Sequence, residues 1–105
     1  MNASWIATRT LLAVRPDGQE LPVTLRMGVP YEISPEEWAC PVALDGLQER
    51  LPDMHGIDAW QSIQLVQTLQ AQLLRHFIEE GGKLCWPETL EPVELHELFP
   101  RVRGE

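Results

Sequence analysis

Two cysteines and three histidines are the residues of this chain best equipped for nucleophilic, redox or metal chemistry. Cys40 sits in Trp38-Ala39-Cys40-Pro41 and Cys85 in Leu84-Cys85-Trp86-Pro87. A thiol attacks as its thiolate, which needs a nearby histidine, a cation or a helix amino terminus. The sequence neighbours of both thiols are apolar, and burial there raises a thiol pKa instead. Both are read as buried structural thiols, with a reversible Cys40–Cys85 bridge as the second reading; no Cys-x-x-Cys redox pair occurs. His55, His76 and His96 lie about twenty residues apart and show no ligand spacing that would preorganise a metal. No catalytic, metal or cofactor-binding residue is assigned, and no cofactor is expected.

Three polar groupings remain. Asp58 can cap a helix, with Gln61 three residues on reaching back as in a capping box. An aspartate there neutralises the attraction a helix start would offer an anionic ligand, so it is read as a cap. Glu88, Glu91, Glu94 and Glu97 recur at every third position. They read as a solvated face, or alternatively as a docking surface for a basic partner. From Ala59 to Leu74 the chain carries no charge, its polar positions being Gln61, Ser62, Gln64, Gln67, Thr68, Gln70 and Gln72. Amides can lie against a protein surface at less desolvation cost than carboxylates or ammonium groups. Gln61, Gln64, Thr68 and Gln72 are therefore the candidate partner surface.

The elements that must position these residues follow from periodicity. Trp5 to Val14 is rich in Ile, Thr, Leu and Val and predicts a strand. Arg15-Pro16-Asp17-Gly18-Gln19 has the chemistry of a tight turn. Leu21 to Val29 alternates apolar and other residues and predicts the second strand of a hairpin. Two prolines make residues 30–37 a connecting loop. Trp38 to Leu44 reads as a third, partly irregular strand, and residues 47–56 as a loop. A long helix is predicted over about 58–80, stopped by Gly81-Gly82, with Ala59, Ile63, Val66, Leu69, Leu73, Leu74 and Phe77 on one apolar face. Lys83 to Trp86 is a short last strand. An acidic tail over 88–105 follows, in which Pro92 opens a short docked helix carrying Leu95, Leu98 and Phe99, and Pro100 ends it. Trp5, Trp38, Trp60 and Trp86 fall one to each of four elements and are expected to pack in the core or at its rim.

The predicted architecture is α+β, a two-layer sandwich with a mostly antiparallel sheet of about four strands against one long helix. The chain has 105 residues, 44% of them hydrophobic and 23% charged, which suits a single folded domain over 1–105. Its formal charge of -8 repels phosphate backbones and anionic lipids, which argues against nucleic acid and membrane partners. Neither a signal-peptide pattern nor an apolar run long enough to span a bilayer is present, and a cytoplasmic protein with reduced thiols is expected.

Trp38-Ala39-Cys40-Pro41, a glycine at 46, then Gly56-Ile57-Asp58-Ala59-Trp60-Gln61-Ser62, and finally Leu84-Cys85-Trp86 occur in that order. Together they resemble a family of small uncharacterised bacterial proteins over about residues 5–87. The resemblance implies fold and bacterial origin and carries no activity. From the residues, the chain reads as a noncatalytic interaction module, a homodimer or a small acidic binder of another protein, as immunity or antitoxin-like proteins are. The alternative is a small-molecule binder or enzyme with a pocket between helix and sheet near Trp38, Cys40 and Trp60. A third reading is a structural or phage-associated subunit.

Overall fold

The computed structural model describes residues 4–99. The first strand, β1 (Trp5–Val14), turns back into β2 (Glu20–Gly28), pairing from Trp5↔Gly28 to Val14↔Glu20 with a bulge between Trp5 and Ala7. The turn closes as its residues predict: Gly18 N–H donates to the Arg15 carbonyl and Gln19 N–H to the Asp17 carboxylate, at 2.8 and 2.9 Å.

Residues 30–37, expected to be a loop, form most of a second hairpin. Strand β3 (Tyr31–Ser34) pairs with β4 (Glu37–Cys40) across a turn at Pro35-Glu36. Both prolines of the segment lie outside the ladder, one before β3 and one in the turn, so neither removes a needed donor. The expected third strand, Trp38 to Leu44, is two strands. Pro41 separates β4 from β5 (Val42–Asp45), and β5 pairs with β2 in the other sheet. The chain can make this corner because Gly28 has no side chain: a Cβ there would stand 2.6 Å from Pro41 Cβ. Gly28 N–H instead donates to the Pro41 carbonyl at 2.9 Å. Residues 20–45 are thus one long antiparallel ribbon bent at Gly28 and Pro41, half in each sheet.

The loop expected over 47–56 ends in a short strand, β6 (Met54–Gly56), paired with β4. Helix α1 (Ala59–Glu79) follows, then β7 (Lys83–Cys85), antiparallel to the end of β1 at Leu12–Val14. The result is an α+β fold: a four-stranded sheet in the order β5-β2-β1-β7, a three-stranded sheet in the order β3-β4-β6, and one long helix packed on them. The expected mostly antiparallel sheet of four strands against one long helix is present, and among the described residues a second sheet of three strands adds to it.

Asp58 caps α1 by accepting from Gln61 N–H at 2.8 Å, and Gln61 Oε1 accepts from Ile57 N–H, one residue earlier than a capping box would place it. At the other end Gly82 N–H donates to the Phe77 carbonyl and Gly81 N–H to that of Ile78, a Schellman closure. The buried stripe of α1 is Ser62, Val66, Gln70, Leu74 and Phe77, while Ile63, Leu69 and Leu73 flank it half-buried. This is a rotation from the predicted apolar face, and two polar side chains come inside with it. Helix α1 bridges two clusters: Leu74 and Phe77 pack with Leu11, Val23, Leu25, Leu44 and Leu84 of the large sheet, and Val66 packs with Cys40 and Val42 at the small one.

Pro92 does not open a helix; it bridges to Cys85, and Val93 N–H donates to the Leu84 carbonyl, so residues 91–93 run along β7. The short helix α2 (Leu95–Leu98) begins three residues later, and Leu95, Leu98 and Phe99 dock on the larger cluster as expected. Pro100 and the rest of the acidic tail lie outside the described residues.

Candidate functional site

The thiols do not come together. Cys40 is fully buried, its Sγ donating to the Gly28 carbonyl at 3.4 Å, and burial together with the charge of Asp53 pushes its pKa up. Cys85 is half-buried on β7 opposite Leu12, whose neighbours Leu11 and Ala13 point to the core, so it faces away from that core. Both are free. The Cys40–Cys85 bridge is therefore excluded in this fold by sheet membership and by facing.

The histidines also stay apart. His76 and His96 are exposed on α1 and α2. His55, on β6, meets Glu37 of β4 at 2.8 Å, both side chains about half exposed. Beside them the Tyr31 hydroxyl donates to Asp53 at 2.5 Å. Tyr31, Ala39 and His55 are cross-strand partners on one face of the small sheet, so Tyr31 spans β4 to reach Asp53 and Ala39 lies fully buried. Sequence reasoning missed these two pairs because both partners of each were placed in loops. The signal was the alternation Tyr31, Ile33 before a two-residue turn. Among the described residues no group of three or more His, Cys, Asp or Glu could hold a metal ion.

The amide positions of α1 divide into three. Gln61 is half-buried and committed to the cap. Gln70 is buried, contrary to its expected place on the polar side, and donates from Nε2 to the carbonyls of Arg26 and Ala43 at 3.1 and 3.3 Å. Those carbonyls belong to one rung of the β2–β5 ladder, so its amide ties the helix to the sheet. Gln64, Thr68 and Gln72 are exposed, at successive turns of one helical stripe. They border a hollow of about 550 Å³ that Leu98 and Phe99 line from the side of α2.

At the head of that stripe, four residues before Gln64, stands Trp60. It was expected in the core or at its rim and is 75% exposed. The helix start leaves it no sheet to cover: Gly56, whose added Cβ would lie 2.8 Å from Ser62 N, brings β6 against the other side of the first turn. Trp38 is half-buried, Cys40 sealed and Trp60 in solvent, so these three do not line a common pocket. A separate hollow of about 330 Å³ lies between the large sheet and α2, lined by Arg9, Leu25, Met27, Gln67 and Phe99 among others.

Fold and surface together define a small α+β domain whose least explained feature is an uncharged, tryptophan-headed helix stripe. The chain belongs to a family known as a domain of unknown function, DUF6968, whose model matches residues 7–94. No curated protein and no solved structure matches it. The matched residues contain the stripe but end before Leu98 and Phe99, which line the hollow beside it. No helix among the described residues is long and apolar enough to cross a membrane.

Proposed function

We propose that the chain is a noncatalytic protein-interaction module, a small acidic binder of another protein that works as immunity or antitoxin-like proteins do. The observation that carries this reading is Trp60, 75% exposed on the same stripe of α1 as Gln64, Thr68 and Gln72. Tryptophan exposed to water gives up apolar burial, and it is enriched among the residues that dominate binding energy at interfaces. The amides beyond it supply donors and acceptors without the desolvation cost of charge. Leu98 and Phe99 add apolar surface beside them.

The test is affinity capture from extracts of the host, comparing the natural chain with Trp60→Ala and with the double variant Gln64→Glu, Gln72→Glu. A partner held by the natural chain is expected to be lost from both variants, because the first removes the anchor and the second desolvates two carboxylates in the contact. Denaturation midpoints should be unchanged, since all three side chains are exposed. Retention of every captured protein by both variants would reject the assignment.

A further inference from the structure

We propose that the hollow between the large sheet and α2 binds a small carboxylic acid, one with an apolar body, a carboxylate at one end and an N–H or O–H donor at the other.

Gln70 supplies the first argument. Its Nε2 donates to the carbonyls of Arg26 and Ala43, which fixes the amide, because its oxygen turned that way would meet two acceptors. Oε1 therefore points off the rung, and no described residue donates to it. Gln70 is 4% exposed, yet among the described residues no buried side-chain oxygen or nitrogen is sealed in without a partner. Oε1 thus reaches the space that Gln70 helps to line, the hollow of about 330 Å³. An acceptor buried in this way is satisfied by a donor inside that hollow.

Arg9 supplies the second. It lines the same hollow with its guanidinium over the Trp86 ring at 4.5 Å, and it pairs with no carboxylate of the described residues. A guanidinium laid on an aromatic face keeps its edge N–H groups for a planar anion, and a carboxylate takes two of them. Arg26 is committed to Asp45. Glu97, the one acid among the lining residues, turns an oxygen to the Glu94 N–H within the cap of α2. Residues 4–16 and 21–31, which hold the sheet side of the hollow, contain no Asp or Glu. The sheet wall is therefore favourable to an anion although the chain's formal charge is -8.

The register sets the length of the ligand. Arg9 pairs with Leu25 across β1 and β2, and Leu25 precedes Arg26, whose carbonyl Gln70 holds. Cation and acceptor thus stand on either side of Leu25, about one to two strand spacings or roughly 5–10 Å apart. Leu25 and Met27 floor the space and Leu98 and Phe99 close it from α2, so the part of the ligand between its two polar ends is apolar. The volume lies at the low end of small-molecule sites, about 300–1,000 Å³, which suits a free acid.

This hollow shares Gln67, Leu98 and Phe99 with the one beside the helix stripe. The test therefore rests on Arg9 and Gln70, which line this hollow and not the other. The probe is indolepropionate, whose ring N–H and carboxylate span the required distance. Titrated into the full chain and followed by NMR, it is expected to bind saturably and to shift the Arg9 Nε–H and Gln70 side-chain amide signals. Its N-methyl analogue, which lacks the donor, and its primary amide, which lacks the charge, should each bind about tenfold more weakly. Arg9→Gln should erase the preference for the acid over the amide, and Arg9→Lys should keep part of it. Gln70→Leu should erase the preference for N–H over N-methyl. Because that variant also loosens the tie between helix and sheet, the comparison of the three compounds on the natural chain stands as the measurement that needs no substitution. Absence of saturable binding at millimolar concentration, or equal affinity for the three compounds, would overturn the proposal. So would shifts centred on Trp60 and Gln64, which would assign the acid to the helix stripe. Partner capture reads Trp60 and this titration reads Arg9 and Gln70, so either can fail while the other succeeds.

Discussion

The hydroxyl of Tyr31 reaches across an entire strand to the carboxylate of Asp53, joining the two edges of the small sheet over Ala39. The hydrogen bond to Asp53, aided by the carboxylate's charge, holds the phenol above its ordinary pKa of 10.0. The folded state therefore favours the neutral phenol. The stabilisation is complete below pH 10 and is lost as pH rises through the higher native value. Tyr31 is the only tyrosine, so absorbance of the tyrosinate can be followed directly. Its midpoint should lie above that of the unfolded chain, and Asp53→Asn should lower it.

The thiols should differ in access. Cys40 is buried, bonded to the Gly28 carbonyl and held in its thiol form, whereas Cys85 is half-buried. A thiol reagent at neutral pH should label Cys85 first and Cys40 slowly, with both becoming fast in denaturant. Labelling of Cys40 ahead of Cys85 in native buffer would contradict the packing described.

Phe77 joins the last turns of α1 to the large cluster and is buried. Truncation to alanine should cost about 3–5 kcal/mol, read as a fall in the urea midpoint with an unchanged slope.

Gln70 makes a different demand. Gln70→Leu keeps the volume but removes the donor to Arg26 and Ala43, whose carbonyls keep their ladder bonds, and should cost about 1–2 kcal/mol. Gln70→Glu should cost more, because it sets a buried carboxylate against two carbonyl oxygens. A denaturation series over pH checks this: burial raises that carboxyl's pKa, so the variant should regain stability as pH falls.

Periodicity made the first hairpin, the long helix with both of its caps, and the short last strand legible, because each depends on residues close in sequence. Asp58, Gln61, Gly81 and Gly82 act within a turn or two of the chain. What escaped depended on distant partners. Pro30, Pro35 and Pro41 look like interruptions, yet they mark where a ribbon turns or changes sheet, which becomes plain only once β5 is seen beside β2. Gln70 could not be told from Gln67 by type, and only the rung at Arg26 and Ala43 selects it for burial. Trp60 misled in the opposite direction: its type suggests burial, and its place on the helix prevents it. The paired residues Glu37 and His55 were hidden because both fall in segments that read as loops, residues 30–37 and 47–56.

The bent ribbon of residues 20–45 also governs how the molecule comes apart. Its two legs enter the large sheet as β2 and β5 and the small sheet as β3 and β4. The register advances by one residue at the corner, from Met27↔Val42 to Tyr31↔Ala39. A slip of one residue in either half would be carried through Gly28 and Pro41 into the other, turning buried Cys40 and Val42 toward water together. Neither sheet can melt or misregister alone, so the two should unfold in a single cooperative step despite their separate ladders.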